Sequence, residues 1–201
     1  MADEKEIKKG WQPSGEPVET EAVKTLRERF PGSVSCVPNA ANEATVIAQK
    51  DKIAEILAFL KSEPSLDFDY LSDLTAVHFP DNEKQIMVVY HLFSTGRKDS
   101  LRVKLELEDG EACPSVVHIW PAANWMEREA FDLIGVKFEG HPNLKRILLP
   151  DDFEGHPLRK EFPLGGAQEQ EIRTNRYGKP ALLPDDLEAA KKMMEEGKSE
   201  Y

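Results

Sequence analysis

LRVKLELE, residues Leu101 to Glu108, alternates without a break: Leu101, Val103, Leu105 and Leu107 are apolar, while Arg102, Lys104, Glu106 and Glu108 are charged. Successive side chains of a β-strand point to opposite faces, so this segment reads as a strand with one buried and one wet face. A sheet that is apolar on one face needs helices on that face only. The pattern therefore predicts a two-layer α+β domain, not a parallel sheet covered on both sides.

The neighbouring segments agree. Leu66–Phe79 and Gln85–Phe93 read as two further strands, joined by turns at Pro80-Asp81-Asn82 and Ser94–Asp99. Upstream, Ile53, Ile56, Leu57 and Leu60 recur at helical spacing, with Asp51 as the expected cap and Pro64 as the stop. Ser33–Val37 and Ala44–Gln49 fit two strands around Pro38-Asn39 and Asn42, and Glu21–Arg29 fits a first helix that ends before Pro31-Gly32. A last helix is expected over Asn124–Ile134, closed by Gly135. The order is α-β-β-α-β-β-β-α: helices on one face of a mixed, largely antiparallel sheet, with an extended C-terminal tail. The expected organisation is a flexible tail over 1–19, a core domain over 20–137, a loop segment over 138–164 and a partner-wrapping tail over 165–201. Asp185–Glu196 fits one short amphipathic helix inside that tail.

Two features of the C-terminal half carry chemistry. In the last helix, Met126, Ala130, Phe131, Leu133 and Ile134 share one arc, and Arg128, Glu129 and Asp132 share the other. Arg128 and Asp132 stand four apart, the spacing of a surface ion pair. Glu127 falls inside the apolar arc. It is either a buried anchor paired with a cation such as Arg146 or Arg159, or half of a capping box with Asn124. Then Phe-Glu-Gly-His-Pro occurs twice, at Phe138–Pro142 and Phe153–Pro157, followed by Lys145-Arg146 and Arg159-Lys160. Each copy reads as a turn: glycine takes positive φ at little cost, and proline holds the preceding histidine extended. Each presents a histidine, His141 or His156, on a stiff corner beside two cations. The acids Glu139, Asp151, Asp152 and Glu154 balance those cations, which suits a contact surface for another protein better than steering of a charged substrate. A metal site built from His141, His156 and Asp151, Asp152 or Glu154 would need convergence that the spacing does not impose. His78, His91 and His118 read as ordinary satisfied side chains, and Trp120 and Trp125 as residues in or beside the core.

Composition removes several classes of function. The chain has 201 residues, a net charge of −11 and a pI of about 5.0, which argues against general nucleic-acid binding. Its apolar runs stop at about five residues, where a membrane helix needs roughly 20. The opening MADEKEIKKG has neither signal-peptide nor transit-peptide character. Cys36 and Cys113 are the two cysteines, too few for an iron–sulfur cluster or a disulfide framework. There is no Gly-rich phosphate loop and no serine in a nucleophile elbow.

The stretch ANWMEREAFDLIGVKFEGHPNLKRILLPDDFEGHPLRKEFPL, Ala123–Leu164, resembles the signature region of the thirty-kilodalton subunit of respiratory complex I, known in bacteria as the C subunit of NADH-quinone oxidoreductase. The residues that carry the resemblance are Glu127, Arg128, Glu129, Asp132, His141, Pro142, Lys145 and Arg146, then His156, Pro157, Arg159 and Lys160. LSDLTAV (Leu71–Val77) and VVYHLFS (Val88–Ser94) are similar to the same family. Lys145 stands where the family more often has Arg, and His78 and His118 where Asp is common. The resemblance implies a subunit with no catalytic residue, metal or cofactor of its own, in the peripheral arm at the cytoplasmic face of the bacterial inner membrane. Its implied partners within complex I are chiefly the D and B subunits, and the FMN, iron–sulfur clusters and quinone would belong to other subunits. The complex would pass electrons from NADH to quinone and pump ions. Equivalent subunits serve complexes that use ferredoxin, F420 or a hydrogenase.

Overall fold

The computed structural model describes residues 15–39, 41 and 43–163. The expectations for the C-terminal tail and for most of the N-terminal one lie outside these residues. Val18 packs against the core, and its carbonyl accepts the Cys36 thiol at 3.7 Å.

Three helices and seven strands follow in order: α1 (Glu21–Arg29), β1 (Val34–Cys36), β2 (Thr45–Ala48), α2 (Ile53–Ser62), β3 (Tyr70–His78), β4 (Ile86–Ser94), β5 (Asp99–Leu107), β6 (Ala112–Pro114), α3 (Ala123–Ile134) and β7 (Lys137–Glu139). The main sheet runs β1-β2-β5-β4-β3. Only β2 and β5 are parallel; the other neighbours are antiparallel. The alternating strand β5 thus lies at the centre. Its Leu101, Val103, Leu105 and Leu107 are buried, while Arg102, Lys104 and Glu106 are half-buried on the opposite face. Val103 faces Tyr90 of β4 and Val46 of β2, so the register lines up one apolar face across the sheet. The apolar stripe of α2 (Ile53, Ile56, Leu57 and Leu60) and the buried side of α1 (Val23 and Leu26) fill the layer beneath it. The α+β two-layer reading holds.

Several boundaries differ for physical reasons. Leu66–Asp69 lie outside β3: a turn over Pro64–Leu66 and Asp67 at φ 46° double the chain back onto the end of α2, where the Phe68 amide meets Leu60 O at 3.0 Å. A 3-10 turn at Lys50–Lys52 precedes α2, so Asp51 sits within that turn and does not cap the helix. α3 starts at Ala123 after Ala122, with no side-chain cap, so Asn124 does not act as the N-cap. Beyond the expected strands, β6 and β7 form a separate parallel pair, Ala112↔Lys137 to Pro114↔Glu139. Three residues each are too short to display a period. The pair matters because it ties the entry to α3 to its exit.

Candidate functional site

The C-terminal end of α3 is where the chain concentrates its polar chemistry. A helix ends with four carbonyls that have no partner within it, at the negative pole of its dipole. Gly135 closes α3 at φ 89°, in the left-handed region, and its amide reaches the carbonyls of Ala130 and Phe131. The remaining carbonyls are taken by the segment that carries the second Gly-His-Pro. Asp132 O accepts from Arg146 Nη1 at 3.1 Å and lies 2.9 Å from His156 Nδ1. Leu133 O accepts from the Leu158 amide at 3.0 Å, and Ile134 O from Arg159 Nε at 2.7 Å. Two guanidinium groups and an imidazole thus sit at the electronegative end of one helix. The two arginines after the histidines, Arg146 and Arg159, are thus turned onto the chain's own backbone.

The Asp132 side chain organises the other half of this clasp. It is fully buried. Its Oδ1 accepts from Arg146 Nη1 at 2.7 Å, and its Oδ2 accepts the amides of Ile147, Leu148 and Leu149 at 3.0, 2.8 and 3.0 Å. Burial would raise its pKa, but the backbone amides, Leu149 foremost, and Arg146 together hold it below the ordinary carboxylate range. Arg146 Nη2 then reaches across to Phe153 O at 2.8 Å and Gly155 O at 3.1 Å. Arg128, also buried, donates to Lys145 O at 3.0 Å and Arg146 O at 3.1 Å.

The two pentapeptides have different jobs. His141 accepts the Asn143 amide on Nδ1 at 3.0 Å, so its Nε2 carries the proton and donates to Asn124 O at 3.2 Å, near the start of α3. His156 engages Asp132 O near the end. Asn124 and Asp132 are eight residues apart, about 12 Å along the helix axis. The two histidines therefore grip opposite ends of α3 and do not converge with Asp151, Asp152 or Glu154 on one metal. Among the described residues, no three His, Cys, Asp or Glu side chains are grouped to hold an ion. Gly140 and Gly155 both take positive φ, 80° and 84°, as the repeat predicts.

Arg159 extends the clasp to the sheet. Its Nη1 and Nη2 hold both oxygens of Asp109 at 2.9 and 2.6 Å, and this keeps the Asp109 carboxyl below its usual range. The two-pronged grip of this guanidinium on a carboxylate is thus filled within the chain. The Lys160 amide donates to Nδ1 of buried His78, at the end of β3, at 3.1 Å. Pro157 is half-buried, while Pro142, Glu129 and the side chains of Lys145 and Lys160 are exposed.

Glu127 overturns both sequence alternatives. It is fully buried, as its place in the apolar arc implies, yet it pairs with neither Arg146 nor Arg159 and closes no capping box. Its oxygens accept from Ser115 Oγ and the Val116 amide, both at 2.7 Å. Burial pushes its pKa up to about 7, partly offset by those two donors. Nearby, the Tyr90 hydroxyl lies 3.1 Å from Cys113 Sγ, and burial pushes that thiol up to about 12. Arg128 and Asp132 do not form the exposed i, i+4 pair, because the 144–149 turn covers both. Trp120 is buried as expected, with Nε1 donating to Asp69 O at 3.2 Å. Trp125 is not: it is 61% exposed, under the Arg128 guanidinium at 4.9 Å. Helical projection placed Arg128 and Asp132 opposite the core correctly. It carried no signal that a later segment returns to cover them.

The clasp can be tested at Gly135, and the buried core side of α3 at Glu127. A Cβ on Gly135 would stand 2.6 Å from the His156 ring and 3.2 Å from Arg159 Nη2. Gly135→Ala therefore meets both a left-handed backbone, worth about 1–2 kcal/mol, and a clash. It should destabilise the domain by at least that much and speed amide exchange at residues 156–159. Unchanged exchange there would refute the clasp. For Glu127, the folded pKa of about 7 lies above the unfolded value of 4.5. The folded state then binds the extra proton, so the contribution of Glu127 to stability is fully present below pH 4.5 and falls as pH rises to about 7, by about 3 kcal/mol. Glu127→Gln mimics the protonated carboxyl and should remove that slope in urea denaturation between pH 5 and 8, with the larger gain at pH 8. Parallel pH profiles for variant and parent would contradict it.

Residues 46–168 match the family model described as the respiratory-chain NADH dehydrogenase 30 Kd subunit. The C subunit of NADH-quinone oxidoreductase from Geobacter metallireducens is 48% identical over 147 residues, covering 72% of this chain and 90% of that one. The same subunit of Geotalea uraniireducens is 44% identical over 146 residues, covering 72% and 88%. Among solved structures, a chain of the membrane-bound sulfane sulfur reductase, an archaeal respiratory membrane complex, superposes with a TM-score of 0.62 at 27% identity, over 78% of this chain and 97% of that one. With the family model covering more than half of its length and with relatives this similar, the chain belongs to the 30 kDa subunit family of respiratory-chain NADH dehydrogenase.

Proposed function

We propose that the chain is a cofactor-free structural subunit in the peripheral arm of a proton-translocating NADH:quinone oxidoreductase, at the cytoplasmic face of the membrane. Its neighbours are the D and B subunits, which stand next to the quinone site. The observation that carries this reading is how the motif spends its polar groups. Arg128, Arg146, His156 and Arg159 donate to backbone carbonyls, and Asp132 accepts from three amides, so the residues that a catalytic reading would need are occupied in shaping one helix and one turn. Cys36 and Cys113 are the two cysteines of the chain, too few to hold an iron–sulfur cluster. Among the described residues, no helix is long and apolar enough to cross a membrane. The family motif Glu127 to Lys160 then acts as a rigid scaffold on which neighbouring subunits rest, with Arg146 and Arg159 serving from within. The similarity to a chain of the sulfane sulfur reductase complex supports a second reading, the equivalent subunit of a complex with another electron donor.

The test is to purify the chain both alone and, by an affinity tag, with whatever it holds in detergent-solubilised membranes. The tagged complex should oxidise NADH with quinone and show flavin and iron–sulfur absorbance. The isolated chain should show neither, and no stoichiometric metal. A membrane complex that ignores NADH would favour the second reading. A coloured or metal-loaded isolated chain would overturn both.

A further inference from the structure

Four large apolar side chains are prominently exposed among the described residues: Tyr70, Trp125, Leu148 and Leu158. Three of the four belong to α3 and the segment that clasps it. Tyr70 belongs to a different element, at the start of β3. A scattered exposed leucine means nothing, but a concentration on one rigid element marks a binding surface.

All three are mounted with unusual firmness. The Trp125 ring lies against the Arg128 guanidinium, which is itself locked by its bonds to Lys145 O and Arg146 O. The Leu148 amide is fixed by Asp132 Oδ2, and the Leu158 amide by Leu133 O. Trp125, Leu148 and Leu158 are 61%, 62% and 56% exposed on backbone that cannot retract them. The Trp125 ring is already braced and the two leucines stand on fixed backbone, so less freedom is lost on binding, which is how a few rigid anchors come to dominate an interface. We infer that Trp125, Leu148 and Leu158 are the anchors by which this chain docks on a neighbouring subunit of its complex, in apolar pockets edged by lysine or arginine. This rests on the subunit reading above and names the surface and the chemistry of what it meets.

The charge of the rim selects the occupant. Glu129, Asp151, Asp152 and Glu154 are exposed on the same helix and segment and outnumber the exposed Lys145 and Lys160, whereas Arg146 and Arg159 are turned inward. The outward field is acidic, and the whole chain carries −11. A second copy of this chain would bring acid against acid, and an anionic lipid surface would be repelled. A partner with a basic rim is complementary and is steered in.

The experiment places a photo-crosslinking phenylalanine analogue at position 125, 148 or 158 of the full-length chain in cells, followed by purification of the membrane complex. Expected are crosslinks from all three positions to another subunit of that complex, mapping to apolar residues flanked by Lys or Arg. Trp125→Ala and Leu148→Ala should each lower the amount of assembled complex at least about tenfold while leaving the isolated chain's melting temperature nearly unchanged. Asp151→Lys with Asp152→Lys should lower assembly in the same direction. If the chain stays with the complex but 125, 148 and 158 crosslink to nothing, to another copy of itself or to lipid, and the alanine variants assemble normally, the inference is wrong and the subunit reading stands. If the chain joins no membrane oxidoreductase at all, the subunit reading fails with it.

Discussion

One buried carboxylate holds α3 and residues 144–160 together. Asp132 is fully enclosed, yet it keeps its charge because three consecutive amides and one guanidinium point at it. A carboxylate left alone in that position would cost several kcal/mol or take up a proton. The turn over Ile147–Leu149 exists to satisfy it. That turn places Arg146, which both neutralises Asp132 and reaches Phe153 and Gly155. The second Gly-His-Pro is thereby delivered to the open end of α3. With α3 capped, Arg159 and Lys160 can reach Asp109 and His78 and tie the helix to the sheet.

The two buried acids of α3 show how environment sets opposite behaviour. Glu127 and Asp132 are five residues apart, about 140° around the helix. Glu127 faces the core, receives two donors and no cation, and has its pKa raised; its contribution weakens as pH rises. Asp132 faces the clasp and has its pKa lowered; its contribution is in place above about pH 4 and is lost as pH falls through the folded value. Acid should therefore loosen the clasp before it touches the core. The cations that look in the sequence like a surface for ligands work at the electronegative end of a helix, where a positive group is favoured without any partner.

The sheet was legible because its signal is local. The alternation in Leu101–Leu107 sets which face is buried, and the flanking strands and both early helices carry their own periods. The positive φ at Gly135, Gly140 and Gly155 was legible for the same reason, since glycine followed by a break or by His-Pro is a statement about one residue's backbone. The site was legible only as a set of residues. Which cation meets which acid depends on how residues 144–160 fold back over α3, and no spacing encodes that return. Hence Arg128 and Asp132 read as a solvent pair when each is covered, and Glu127 as an ion pair when it meets Ser115 and a backbone amide. β6 and β7 were missed because three-residue strands have no period to read. Trp125 reads from residue type as lying in or beside the core, while its Arg128 brace holds it in the open.

The central claim is that Asp132 and Arg146 act as one unit that organises the clasp. A double-mutant cycle of Asp132→Ala and Arg146→Ala, read by urea unfolding of the full chain at pH 7, tests it directly. Each single change should cost about 3–5 kcal/mol, because it leaves a buried charge without its partner. The double variant should cost little more than either, a coupling at the upper end of the roughly 0.5–3 kcal/mol range of contacting pairs. Two losses below about 0.5 kcal/mol that simply add, the behaviour of ordinary surface positions, would contradict the account.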